Sequence, residues 1–171
     1  MATPAVVVAT ASAAPMAAGP MVSGLTTSRA ASLSLPLRYM VAGLVFAVLA
    51  FGFATAYAAS FVDPVFLTPH LLAVTHLTAL GWLTMVAMGA LFQFVPVVLD
   101  VGIWSERLGK LQFYLYLAGV LGLTFEMGTG RTQTLAWPAG LLVLAIALFL
   151  YNMARTLARV ERWPLTGWYI V

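Results

Sequence analysis

The chain has 171 residues, 63% of them hydrophobic and only 8% charged, with a net charge of +3. Soluble domains carry about 25% charged residues, so the composition is that of an integral membrane protein, and its apolar content excludes disorder for most of the length. The absence of cysteine removes disulfides, thiolate metal sites, iron–sulfur clusters and thiol nucleophiles, and no basic stripe with interleaved aromatics points to a nucleic-acid partner.

Residues 1–34 are rich in Ala, Thr, Ser, Pro and Val, and Pro4, Pro15, Gly19, Pro20 and Gly24 interrupt any helix. The expected state is a disordered cytoplasmic tail. A secretory signal is the rival reading, but it needs a basic start, and the first basic residue is Arg29.

Residues 35–162 are expected to form an all-α, polytopic membrane bundle of four spans. The first span is expected at 37–60, with Arg38 and Tyr39 anchoring its start. Gly43, Ala47, Ala50, Ala54 and Ala58 recur at a spacing that lets a second helix approach closely.

The second span is expected at 69–98. Thr68 is placed to cap it and Pro69 suits its first position. Pro96 is expected to kink or fray its far end. No Asp, Glu, Lys or Arg lies between Pro69 and Asp100. From His70 to Leu99 a helix would measure about 45 Å, against a hydrocarbon core of roughly 30 Å. This span contains both histidines of the chain, His70 and His76. An ionisable side chain inside a span is costly and is a candidate functional residue by default, and imidazole is a common metal and haem-iron ligand.

A short charged link with Asp100, Glu106, Arg107 and Lys110 leads to a third span at 108–127, which Gly128 and Gly130 terminate. The fourth span is expected at 135–154, with Thr134 as its cap. Arg155, Arg159 and Arg162 follow it. Residues 163–171 read as an interfacial segment or the start of a truncated fifth span. With four spans, one side holds Arg29, Arg38, Arg107, Lys110, Arg155, Arg159 and Arg162, and the other holds Arg131 alone. The positive-inside rule then puts both termini in the cytoplasm, and the second helix runs from outside to inside.

Six residues separate the histidines, a rotation of about 240° on a regular helix, so one face cannot offer both to one metal. Regular periodicity groups His76 with Leu72, Ala73, Leu80, Leu83 and Ala87, and turns His70 towards Gly81 and Met88. The unremarkable reading of His76 is a neutral imidazole bonded to a neighbouring hydroxyl or carbonyl. Gln93 and Asn152 read as helix-to-helix hydrogen-bonding groups, and Glu126 with Arg131 as a weak surface ion pair.

The segment PHLLAVTHLTALGWLTMVAMGALFQFVPVV resembles the second membrane helix of subunit I-like proteins of the haem-copper oxidase superfamily, which includes cytochrome oxidases and nitric oxide reductases. The matching features are His76 in the outer half of an inward-running helix, Gly81 five residues on, Gly89 and Pro96. The resemblance implies a low-spin, b-type haem with His76 as an axial iron ligand. It leaves His70 as the alternate, and Arg131 as a partner for a haem propionate. Complete members carry many more spans, with the other metal ligands on later helices, so this chain alone is not expected to reduce oxygen or nitric oxide. Three expectations follow: a haem-binding electron-transfer component, a cofactor-free scaffold or assembly subunit of a respiratory complex, and a small transporter or channel. The last lacks the mid-span acids such proteins usually need. The expected setting is the inner membrane of a bacterium, as a homodimer or with other respiratory subunits. The trans ligand would come from His76 of a second copy about a two-fold axis, from another subunit, or from His70 after local unwinding, and Ala73 and Ala87 would leave room for the macrocycle.

Overall fold

The long apolar runs among the described residues form helices. The computed structural model describes residues 33–62, 68–131 and 133–160. The expectations for 1–32 and for 161–171 fall outside these residues. Helix α1 is Ser34–Ala56, followed by a 3-10 turn at Ala58–Phe61. Helix α2 is Pro69–Leu99, α3 is Glu106–Gly128 and α4 is Ala136–Leu157. The described residues contain no strand. All four helices are long and apolar enough to cross a membrane.

The helix ends show which local signals are strong. Thr68 caps α2, accepting from the Leu71 amide at 3.2 Å, and Pro69 takes the first helical position, as the sequence suggests. Pro96 lies within α2, which continues through Leu99. There Asp100 adopts a left-handed conformation (φ 49°) and the Val101 amide reaches back to the Pro96 carbonyl at 3.1 Å, closing the helix in the manner of a Schellman motif. Helix α3 starts earlier than expected, because Ser105 caps it through the Leu108 amide. Thr134 does not cap α4. Its hydroxyl donates to the Glu126 carboxylate instead, and α4 begins at Ala136 without a side-chain cap.

Helix α1 packs on the middle and later parts of α2, the first turns of α2 pack on α3, and α3 packs on α4. The small-residue stripe of α1 is the packing face: Gly43, Ala47 and Ala50 are buried. A Cβ on Gly43 would sit 2.7 Å from Val86 Cγ2 and 3.2 Å from the Trp82 carbonyl oxygen. One on Gly81 would sit 2.8 Å from Phe46, and one on Gly89 2.9 Å from Tyr39. The glycines thus permit the backbone approach that holds helices together in lipid, where no hydrophobic force between them operates. Below this crossing Tyr39 is fully buried, between the rings of Phe92 (5.3 Å) and Phe113 (5.0 Å). Its hydroxyl donates to the Gly109 carbonyl of α3 at 3.0 Å.

Asn152 is buried, but its partner is a loop rather than another helix. It accepts from the Ser105 amide (3.2 Å) and donates to the Ser105 carbonyl (3.0 Å). Thr156, one turn on, accepts from the Trp104 amide at 3.0 Å. The α2–α3 link is therefore clamped to the end of α4. Arg38, Arg107, Lys110, Arg155 and Arg159 belong to this end of the bundle, and Arg131 to the other.

Replacing Gly43 by Ala should lower stability in detergent by about 1–3 kcal/mol, because the methyl group has no room. Gly52→Ala meets nothing within 4 Å and should leave stability unchanged or raise it by up to about 1 kcal/mol. Thermal unfolding of the two variants side by side checks the α1–α2 crossing.

Candidate functional site

The middle of α2 is not an α-helix. Over Leu77–Thr84 the ladder is π-helical, with bonds five residues apart, a geometry frequent at functional sites. His76 is the last residue before it. Two side chains serve the carbonyls of this wider turn. Thr84 Oγ1 donates to the Ala79 carbonyl at 2.8 Å, and Tyr116 of α3 donates to the Leu80 carbonyl at 3.1 Å.

The π turns take more residues per rotation than α turns, so they shift the register of everything beyond them. The face expected from regular periodicity is accordingly broken. Ala73 is fully buried near Gly128, whereas Leu83 is 55% exposed and Ala87 is exposed. Ala73 and Ala87 therefore do not flank His76 together. The exposed residues nearest to it in sequence are Thr75 and Ala79, both small. The Thr75 hydroxyl is tied to the Leu71 carbonyl at 2.8 Å.

His76 is half-buried, and its Nδ1 lies 2.8 Å from the Leu72 carbonyl oxygen. A carbonyl only accepts, so Nδ1 carries the proton, and in the neutral imidazole Nε2 is then the nitrogen with the lone pair. A fixed Nδ1–H with an open Nε2 is the arrangement that orients a metal-ligating histidine. His70 is held differently. Its ring stacks on Tyr57 at 4.1 Å and 15°, with Phe53 at 6.0 Å. No ring contact joins the two imidazoles among the described residues, and the stack fixes His70 in the first turn of α2, at the helix end.

Arg131 is exposed at that same end of the bundle. Its amide donates to the Glu126 carbonyl at 2.9 Å, while the Glu126 carboxylate is taken by Thr134. The expected Glu126–Arg131 ion pair is thus replaced by a hydroxyl–carboxylate bond. Among the described residues no three His, Cys, Asp or Glu side chains converge as a metal site.

Two polar residues in the spans matter more than sequence reading suggested. Gln112 is completely buried, its amide donating to Met88 Sδ at 3.3 Å, and its oxygen has no hydrogen-bond partner. Tyr116 is equally buried and serves the π segment. An amide side chain in the third span was the available signal for Gln112. Nothing in the periodicity marks Tyr116. Gln93, expected to bond between helices, also has a buried oxygen without a partner.

No family model, curated protein or solved structure matches the chain.

Tyr116→Phe removes the hydroxyl that donates to Leu80. It should cost about 1 kcal/mol and speed amide exchange selectively across residues 77–84. Hydrogen–deuterium exchange in detergent micelles, compared with wild type, measures both the size and the location of the change.

Proposed function

We propose that the chain is a membrane haem-binding electron-transfer component, with His76 Nε2 as an axial ligand to a b-type haem. The observation that supports this most directly is the Nδ1 bond to Leu72. With the imidazole neutral, it leaves the Nε2 lone pair available on a half-buried flank of a span, where a free polar atom is otherwise costly. The exposed neighbours Thr75 and Ala79 are small and uncharged, and fit a flat apolar macrocycle. Bound haem iron would supply one-electron transfer. The chain's own part is to orient the imidazole through Leu72 and to exclude water.

Because His70 is engaged by Tyr57, the second residue to hold the haem would be His76 of a second copy about a two-fold axis, the commonest oligomer symmetry, or a residue of another respiratory subunit. Arg131, at the His70 end, is assigned to a propionate. The basic end is assigned to the cytoplasmic side of a bacterial inner membrane.

A cofactor-free scaffold is the second reading, and one observation favours it. Gly81 and Gly89, which carry part of the oxidase-like pattern, both have packing partners on α1, so packing alone accounts for them.

Absorption spectra of protein purified after expression with ample haem separate the two. A Soret band should appear at one haem per two chains, vanish in His76→Ala and weaken only slightly in His70→Ala. A colourless wild-type protein would establish the scaffold reading. For orientation, a reporter fused after Arg162 should report the cytoplasm. A periplasmic signal would reverse the assignment.

A further inference from the structure

At the basic end, a cleft of about 370 Å³ opens between the start of α3 and the last turns of α4. Trp104, Ser105 and Arg107 form its mouth, and Leu108, Leu111, Leu148 and Tyr151 its walls. The walls run inward. Leu111 lies about 7.5 Å from the first residue of α3, and Leu148 about 13.5 Å from the last residue of α4. Leu111 is 53% exposed and Tyr151 49% exposed, so the cleft opens sideways, in the direction that lipid occupies around a spanning helix.

The mouth is prebuilt. Asn152 holds the Ser105 backbone at both its amide and its carbonyl, and Thr156 holds the Trp104 amide. Both of these side chains are fully buried. The Trp104 indole is fixed edge-on to Tyr151 at 5.3 Å and lies under the Arg155 guanidinium at 5.3 Å. Ser105 Oγ accepts from Leu108, which leaves its hydroxyl proton to donate outward. Arg107 is exposed and has no ion-pair partner among the described residues. Among the described residues the charges at this end are Arg38, Arg107, Lys110, Arg155 and Arg159 against Asp100 and Glu106, a net positive field. A cation and hydroxyl at the rim of an apolar cleft that descends to acyl-chain depth match a molecule with an anionic head and a hydrocarbon tail.

We propose that this cleft binds one anionic phospholipid, with its phosphate against Arg107 and Ser105 and an acyl chain along Leu111 and Leu148. The site is independent of any haem at the opposite end. Basic pockets between helices hold acidic headgroups in this way. The apolar walls distinguish such a site from diffuse surface charge.

Native mass spectrometry of the full chain, released from micelles doped with equal phosphatidylglycerol and phosphatidylcholine, tests it. Wild type should retain the glycerol lipid in roughly fivefold preference, the ratio expected from one cation near a surface. Arg107→Ala should bring the ratio close to one. Leu111→Trp, which fills the cleft and leaves every charge in place, should do the same, with Leu148→Phe as the substitute if that variant fails to fold. Arg159→Ala should leave the preference intact. Equal retention of both lipids by wild type overturns the proposal. So does a preference that survives cleft filling, or one that depends on Arg159 as strongly as on Arg107. Loss of the bound lipid to millimolar inorganic phosphate would also overturn it, by showing that the acyl chain contributes nothing.

Discussion

In hydrocarbon a backbone carbonyl has no water to turn to, and each one left unsatisfied costs several kcal/mol. In the π segment of α2 the ladder runs over five residues instead of four, and two of its carbonyls also receive a side-chain donor. Tyr116 and Thr84 supply those donors. Tyr116 does so from α3, so a local irregularity of one helix becomes an obligation between two. On the other flank Gly81 admits Phe46 of α1. The segment is thus held from both sides, and α1, α2 and α3 owe much of their mutual placement to it.

The same accounting explains the basic end. A link of only a few residues between α2 and α3 must turn the chain around with little secondary structure of its own. Asp100 ends one helix by its left-handed conformation, Ser105 starts the next, and Asn152 with Thr156 takes up the polar backbone between them. A buried amide and a buried hydroxyl on α4 are stable there because each has found a partner. Gln112 is the contrasting case. Its nitrogen has only a thioether and its oxygen has nothing, a deficit of about 1–3 kcal/mol by the usual cost of an unmade bond.

The spans were legible in the sequence because long apolar runs bounded by Gly, Pro and charge leave few alternatives, and Thr68–Pro69 marks a helix start by chemistry that depends on no distant residue. The α1 packing face was legible for a related reason, since small residues at helical spacing have few other uses in a membrane. What was not legible involves partners remote in sequence. Thr134 makes a plausible cap until Glu126 is found beside it. Asn152 reads as a helix-to-helix group until the link it clamps is seen. The face of His76 was misjudged because periodicity assumes a uniform 3.6 residues per turn, and the π segment begins directly after it. His70 and His76 are anchored differently, by the Tyr57 ring and the Leu72 carbonyl.

Where His76 points is therefore a matter of chain length as well as of chemistry. Removing one residue between 77 and 84 would bring the ladder closer to ordinary α-helix, and because an α residue turns further than a π residue, the His70 side of α2 would rotate by roughly half a residue step relative to Gly89 and Pro96. The imidazole would then address a different neighbour, with every side chain of the site unchanged. The number of residues through the π segment, as much as their identities, therefore sets the direction of this histidine.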